Sequence, residues 1–511
     1  MEFASVSRRG ALGTLSLGAL MAMLPRLVAA QPAPVKTSGD GEAFSPEILR
    51  DLAQSLARKP YRAPATGGDK GLAGLTYDDY FRIRFRGEHA LWADRPAPFR
   101  AEFFPPAYLY PRVFPIYEVE GGVARPVPFD PAMFDVPGEH GDAAKAIGGF
   151  SGLRLLWPLN RADKLDEIAV FQGASYFRSL GRDQFYGLSS RGLAIGAGEP
   201  NEEFPSFERF WLERPADGAE TVVVHALMDS PSCTGAYSFT IRPGQTVTFD
   251  VAATIFPRVK MTKMGVAAQS SMFLFNVSDG PRGDDFRTAV HDSDGLAMLT
   301  GTGEQIWRPL TNPTAHRLSY FQDENPRGFG LVQRARRLED YGDLEARYDL
   351  RPSLWVEPQG DWGKGAVVLA ELATRKESDD NIAVFWRPEK AWEAGSRVDL
   401  SYRLHWGVER LGDGEARVVR TRTGADTQDG LRMFTIDLSG PMLADGLDGV
   451  KLDIEARGGE TTWSNITPYP RAATARAAFG LKPTGKQAEL SLRLTRDGKP
   501  ISETWRYLWT A

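Results

Sequence analysis

Apolar and polar side chains alternate with a period of two in short runs along most of this 511-residue chain. The runs 82–86, 99–104, 221–227, 238–241, 246–251 and 366–372 are of this kind, and Gly, Pro, Asn and Asp cut them apart. A period of two places successive side chains on opposite faces of a strand, so such runs predict antiparallel sheets packed as a sandwich. Helical spacing is signalled near the start. Ser45 offers an N-cap and Pro46 suits the first helical position, while Ile48, Leu49, Leu52, Leu56 and Ala57 fall on one face. The stretch 46–57 is therefore predicted as a surface helix. A second helix is signalled at Tyr77-Asp78-Asp79-Tyr80.

Residues 387–396, from Arg387-Pro388 to Gly395-Ser396, read as a linker. Beyond them strands are predicted at 397–406, 415–421, 431–437, 449–456, 460–464, 488–495 and 501–509. About seven strands in about 115 residues is the spacing of an immunoglobulin-like sandwich. The predicted fold class is all-β, with a large β-sandwich domain over 38–388 and a small immunoglobulin-like β-sandwich over 395–511.

The first thirty residues form a separate signal. A charged start with Arg8-Arg9 precedes an apolar stretch, and Leu27-Val28-Ala29-Ala30 ends it with small residues at the cleavage positions. This predicts a secretory signal over 1–30, and the paired arginines followed by Leu12 resemble the twin-arginine class. The expected location is the periplasm. Residues 31–43 are small and polar, a lead-in to the folded part.

Composition narrows the function. The formal charge of −5 becomes −7 once the three Arg and one Glu of residues 1–30 are removed, and such an acidic balance argues against a nucleic-acid partner. Past residue 30 no apolar run approaches the roughly 18 residues of a spanning helix, so no membrane span is expected in the mature chain. A single cysteine, Cys233, precludes an internal disulfide and any zinc site built from cysteines; it is expected to be a buried, inert thiol. The six His lie at least 25 residues apart with no His-Glu-x-x-His, so no metal is expected. Neither a glycine-rich phosphate loop nor a Gly-x-Ser-x-Gly elbow occurs, and no cofactor is expected.

What remains is carboxylates among aromatics. His291-Asp292-Ser293-Asp294 is an acidic turn, Glu377-Ser378-Asp379-Asp380-Asn381 precedes the run 382–386, and five of the twelve tryptophans lie between 307 and 392. Sugars present C–H faces to aromatic rings and hydroxyls to acids, so this mixture suits glycan binding, and two opposed carboxyls would suit glycoside hydrolysis. On composition alone the same residues fit solvated loop tips and sandwich core better.

A set of ordered motifs changes that balance. Gly173-Ala174-Ser175-Tyr176-Phe177-Arg178 leads into Tyr186-Gly187-Leu188-Ser189-Ser190-Arg191. Glu203-Phe204-Pro205, Phe210-Trp211-Leu212-Glu213-Arg214-Pro215 and Leu227-Met228-Asp229-Ser230-Pro231 follow. Then come His291-Asp292-Ser293-Asp294-Gly295-Leu296, Ile306-Trp307-Arg308-Pro309-Leu310, Glu324-Asn325-Pro326-Arg327-Gly328, Arg347-Tyr348-Asp349-Leu350-Arg351-Pro352 and Asp379-Asp380-Asn381-Ile382. Together they resemble the periplasmic glucans biosynthesis G and D proteins, and the twin-arginine-like signal resembles that of the D member.

The resemblance implies an N-terminal sandwich bearing a substrate cleft, and an inverting endo-β-1,2-glucanase acting on linear β-1,2-glucan. It implies Asp380 as general acid and Asp292 as general base, with Glu377 and Tyr348 beside Asp380 in the cleft. Trp307, Arg308, Trp355, Trp362 and Trp386 are candidate substrate-binding residues on physical grounds, some of which are expected to be core. Asp379 and Asp294 are the neighbours most easily confused with the catalytic pair. A homodimer is compatible with the family. Two other activities stay open on the same residues: a non-catalytic glucan-binding or scaffold protein, and a transferase that branches or closes glucan chains.

Overall fold

In a computed structural model, residues 41–63, 75–96, 98–138, 148–278, 284–408 and 414–511 are described. The 1–30 signal, most of the 31–43 lead-in, His140 and part of the 276–290 loop lie outside the described residues. Strands dominate, and both predicted helices form. Pro46–Ala57 starts where expected: the Ser45 side chain accepts from the Ile48 N–H, and Leu49 and Ala53 are buried. Tyr77–Arg82 opens on a capping box between Thr76 and Asp79, which satisfies two backbone donors reciprocally.

By internal contacts the chain divides into two interleaved units. The first takes residues up to 270 together with 385–407, the second 271–384 together with 408–511.

In the first unit one sheet runs in the order Glu42–Ala43, Val123–Pro126, Ile116–Glu120, Ser206–Glu213, Val222–Asp229, Cys233–Arg242, Val247–Pro257 and Val398–Gly407. A second runs from Ser189–Arg191 through Tyr176–Ser179, Lys164–Gln172 and Gly152–Arg161 to Arg100–Phe104. Their inner faces meet through rings: Phe171 and Phe177 lie 5.2 and 5.1 Å from Phe239, and Phe177 lies 5.8 Å from both Phe249 and Trp406. Burying each ring stabilises the sandwich by about 1.5–3 kcal/mol. The run predicted at 397–406 is the strand Val398–Gly407, and it pairs with Val247–Pro257 because its buried Tyr402, Leu404 and Trp406 face this aromatic core.

On the outer face of that sheet lies the helix Pro46–Ala57, where the Thr234 hydroxyl donates to the Ala53 carbonyl at 2.7 Å. The Arg258 guanidinium satisfies the Leu56 and Lys59 carbonyls at the helix end and binds Asp229 at 2.6 Å. Cys233 sits beneath, fully buried, and burial pushes its thiol up to about 12, so it stays protonated and unreactive.

In the second unit one sheet runs Ser353–Gln359, Gly328–Val332, Gly295–Leu299, Gln305–Pro309, Thr504–Thr510, Gln487–Arg496 and Val450–Arg457. Gln305–Pro309 and Thr504–Thr510 are parallel, with Trp307 beside Trp505. A four-stranded sheet, Arg417–Ala425, Arg432–Ser439, Thr474–Pro483 and Gly459–Pro468, packs on it through one cluster that holds Trp307, Phe434, Phe479, Leu492 and Trp505. Glycine makes room for two of the tryptophans: a Cβ on Gly295 would lie 2.4 Å from the Trp307 ring, and one on Gly328 would lie 2.2 Å from Trp355. The buried Glu503 receives both arms of Arg334, at 2.6 and 2.9 Å, and so ties the loop after Val332 to the C-terminal strands.

Candidate active site

Four of the predicted site residues, Asp292, Tyr348, Glu377 and Asp380, belong to the second unit, on three separate loops. Asn381 anchors one of them. Its buried side-chain amide copies a strand partner: Oδ1 accepts the Phe273 N–H at 2.8 Å, and Nδ2 donates to the carbonyls of Phe273 at 2.9 Å and Leu372 at 3.0 Å. The Leu372 N–H donates to the Asn381 carbonyl at 2.8 Å, which closes the 372–381 loop at its base. Asp380, half-buried, is the residue immediately before that closure.

Asp292 is fixed to the same short stretch from the other side. Phe273 pairs with His291, and the Asp292 N–H donates to the Met272 carbonyl at 2.9 Å. The two aspartates, 88 positions apart by their numbers, are thus held through the backbone of one dipeptide, Met272-Phe273.

Tyr348 enters through Gln333. The Gln333 side-chain N–H donates to the His291 carbonyl at 3.0 Å and to the Tyr348 carbonyl at 3.1 Å. The buried Tyr348 hydroxyl donates to Glu377 Oε1. Burial raises the phenol well above its usual range, and the nearby Asp292 charge pushes the same way, so Tyr348 is a proton-bearing donor. Arg351 lies 5.3 Å from the Tyr348 ring and its Nε is 3.7 Å from Asp292 Oδ1.

Arg287 organises the acidic side. It reaches Glu377 Oε1 at 3.3 Å and Oε2 at 3.2 Å, Asp343 at 3.2 Å, and grips Asp285 through two nitrogens. One guanidinium thus faces three carboxylates, which leaves the neighbourhood acidic. Among the described residues no group of three or more His, Cys, Asp or Glu is arranged to hold a metal ion.

His291 is a scaffold. It stacks on Phe273 at 5.3 Å, meets Gln333 through Nδ1 at 3.0 Å and Asp294 through Nε2 at 3.3 Å. Burial lowers its pKa despite Asp294, which keeps the ring neutral and suited to orienting the turn. The confusable neighbours are engaged locally: Asp294 accepts the N–H groups of Arg334 and Ala335, and Asp379 accepts the Thr374 hydroxyl at 2.5 Å.

The five predicted substrate-binding residues separate by burial. Trp307 is core, with the Arg334 guanidinium 3.6 Å from its ring centre. Arg308 is buried and paired with Glu371 at 3.3 Å, and that carboxylate is also held by Arg317 and Thr311. Trp386 is buried in the first unit. Trp355 and Trp362 keep surface; the backbone N–H of Trp362 is held by Asn325 Oδ1 at 2.8 Å, and its ring meets Phe329 edge-on. Arg287, Gln333, Asn381 and Arg351 carry the arrangement, and the sequence assigned a role to none of them. Asn381 and Arg351 stand in the motifs quoted for Asp380 and Tyr348, whereas Arg287 and Gln333 fall outside every motif.

Comparison with known proteins places the chain. The family described as "Periplasmic glucan biosynthesis protein, MdoG" matches residues 44–509. A protein named Glucans biosynthesis protein G from Rhodopseudomonas palustris (strain ATCC BAA-98 / CGA009) is 45% identical over 497 residues, covering 96% of this chain and 98% of its own length. One of the same name from Shewanella sp. (strain W3-18-1) is 44% identical over 481 residues, covering 92% and 87%. A solved galactose mutarotase related enzyme from Lactobacillus acidophilus covers 46% of this chain and 96% of its own, with a TM-score of 0.21 and 6% identity. The match over almost the full length makes this chain a member of the periplasmic glucan biosynthesis protein family.

Proposed function

We propose that this protein is an inverting endo-β-1,2-glucanase that trims linear glucan backbone in the periplasm, exported through its 1–30 twin-arginine-type signal. The observation that supports the reading best is the shared anchorage of Asp292 and Asp380 on Met272-Phe273. In this mechanism Asp380 protonates the leaving glycosidic oxygen, water attacks the anomeric carbon from the opposite face, and Asp292 receives the water proton directly or through a short relay. The mechanism requires Asp380 to enter the step protonated and Asp292 to enter it ionised. Tyr348 and Glu377, joined by their hydrogen bond, position the reacting sugar or water. Trp355 and Trp362, which keep exposed surface, offer rings for sugar stacking.

The test is release of reducing ends from linear β-1,2-glucan, with anomeric configuration followed by optical rotation. General acid–base groups contribute about 10²–10⁴-fold, so Asp380→Asn and Asp292→Asn should each lose at least a hundredfold in kcat. Asp379→Asn, which alters a local bond to Thr374, should stay within fivefold of wild type. Equal loss in Asp379→Asn and Asp380→Asn would remove the assignment. Tight glucan binding without new reducing ends would instead favour the scaffold activity, and conserved total linkages a transferase.

A further inference from the structure

The first unit contains a pocket of about 300 Å³, at the lower end of the range for small-ligand sites. Two motifs of the sequence analysis that the hydrolytic mechanism leaves without a role wall it, Gly173-Ala174 and the stretch around Phe204. Its chemistry is mixed in a particular way. Tyr110, Phe204 and Phe207 supply rings, and Phe204 is 39% exposed, with the Arg191 guanidinium 5.5 Å from its ring centre. Arg112 and Glu208 supply polar groups: Arg112 donates to the Ser206 hydroxyl at 3.0 Å and lies 3.8 Å from Glu208 Oε1. That buried oxygen accepts no hydrogen bond among the described residues, so the pocket holds an acceptor in need of a donor.

The backbone of the wall is strained. Gly173 and Ala174 both adopt positive φ, 79° and 43°. For alanine this conformation is disfavoured, because Cβ crowds the following carbonyl oxygen. The strain is maintained by contacts on both sides: the Ala174 carbonyl accepts the Phe207 N–H at 3.1 Å, and a Cβ on Gly173 would meet the Tyr110 ring at 3.0 Å. Residues held in sparsely populated conformations cluster at ligand sites, where they fix the wall a ligand meets.

We propose that this pocket of the first unit is itself a carbohydrate site, taking a short β-1,2-linked gluco-oligosaccharide. An amphipathic ligand is needed, since ring faces alternate with one acceptor and one donor. An uncharged ligand fits, because the pocket sets one cation, Arg112, 3.8 Å from one carboxyl, Glu208, and so offers a donor beside an acceptor. A sugar satisfies both conditions: C–H faces against Phe204 and Tyr110, a hydroxyl donating to Glu208 Oε1, another accepting from Arg112. Burial and the nearby Asp229 charge push Glu208 up to about 7, against the pull of Arg112, so near neutrality it can accept or donate to a hydroxyl. The identity of the sugar rests on the glucanase reading; the pocket as a saccharide site does not rest on hydrolysis.

Hydrogen–deuterium exchange of the full chain carrying Asp380→Asn, with and without a β-1,2-linked glucose trisaccharide, tests this. Protection is expected at 108–114 and 204–208 as well as at 272–292 and 372–381. Adding Phe204→Ala or Glu208→Gln should abolish protection of the first pair of segments, with affinity there at least tenfold weaker, and leave the second pair protected. Protection confined to 272–292 and 372–381, or pocket protection unchanged by both substitutions, overturns the proposal. Loss of all protection in one variant only would be traced to misfolding by circular dichroism, and the other variant then decides. Failure of the glucanase reading is read separately, as absence of protection at 372–381.

Discussion

Tyr348 and Glu377, 29 positions apart, share a hydrogen bond in which the phenol donates to Oε1, while Arg287 holds both oxygens of the same carboxylate. Glu377 is therefore an acceptor fixed from two sides, and Tyr348 keeps its proton. Tyr348→Phe should retain folding and lower kcat about tenfold or more with little change in KM, since one positioned donor is lost. Steady-state kinetics on β-1,2-glucan would show it. Arg287→Ala should be worse for the fold, because three carboxylates then face one another uncompensated. A loss of about 3–5 kcal/mol in urea unfolding is expected.

Asn381 stands in for a strand at Phe273. Removing it strands a buried N–H and two carbonyls, at about 1–3 kcal/mol for each group left unsatisfied. Asn381→Ala should lower stability by at least about 3 kcal/mol in urea unfolding, on the same ground. It should also lower kcat, although Asn381 is assigned no contact with substrate. Unchanged kcat in a folded Asn381→Ala protein would mean that the loop base does not position Asp380.

Burial separates the aromatic candidates into two classes with opposite phenotypes. Trp307→Ala opens a cavity in the C-terminal core and should cost about 3–5 kcal/mol in stability. Arg308→Ala takes one of two arginines from the fully buried Glu371, leaving it Arg317 and the Thr311 donors, and should destabilise by a similar amount. Trp355→Ala and Trp362→Ala, at partly exposed positions, should instead raise KM for long glucans severalfold more than they lower kcat. Thermal melts and kinetics on glucans of graded length distinguish the two.

Glu208 gives the first unit a pH dependence of definite sign. Its folded pKa, pushed up from 4.5 to about 7 chiefly by burial, exceeds the unfolded one, so the folded state binds the proton more tightly. The associated stability is fully present below about pH 4.5 and is lost as pH rises through 7, on the order of 2–3 kcal/mol in all. Glu208→Gln should flatten that part of the profile. Melting temperatures of both proteins between pH 4 and 8 check it; parallel curves would contradict the buried-carboxyl account.

Much of the fold was legible because it rests on local patterns. The cap at Ser45, proline at the first turn and helical spacing define Pro46–Ala57. Alternation defines most strands, including Arg432–Ser439, Val450–Arg457 and Gln487–Arg496. Thr474–Pro483 was missed because its Ala-rich run Ala475-Arg476-Ala477-Ala478 shows no contrast between faces. Alternation also says nothing about partners, so 398–407 read as the first strand of a C-terminal sandwich although it completes a sheet of the first unit. A tryptophan in a strand has the same flanking pattern whether it fills a core, like Trp307, or keeps surface, like Trp355. The carboxylates came into view through motifs, whereas their supports, Arg287, Gln333 and Asn381, act through tertiary bonds that no spacing rule encodes.

The interleaving of the two units bears on how the chain is made. Val247–Pro257 has Cys233–Arg242 on one edge and Val398–Gly407 on the other. During synthesis its second partner is translated roughly 140 residues later, a delay on the order of ten seconds at typical ribosome speeds. For that interval eleven residues of β-strand present an open edge, which is a template for aggregation. A nascent chain halted between residues 257 and 398 thus holds that edge unpaired, and no cut at a single peptide bond yields either unit intact.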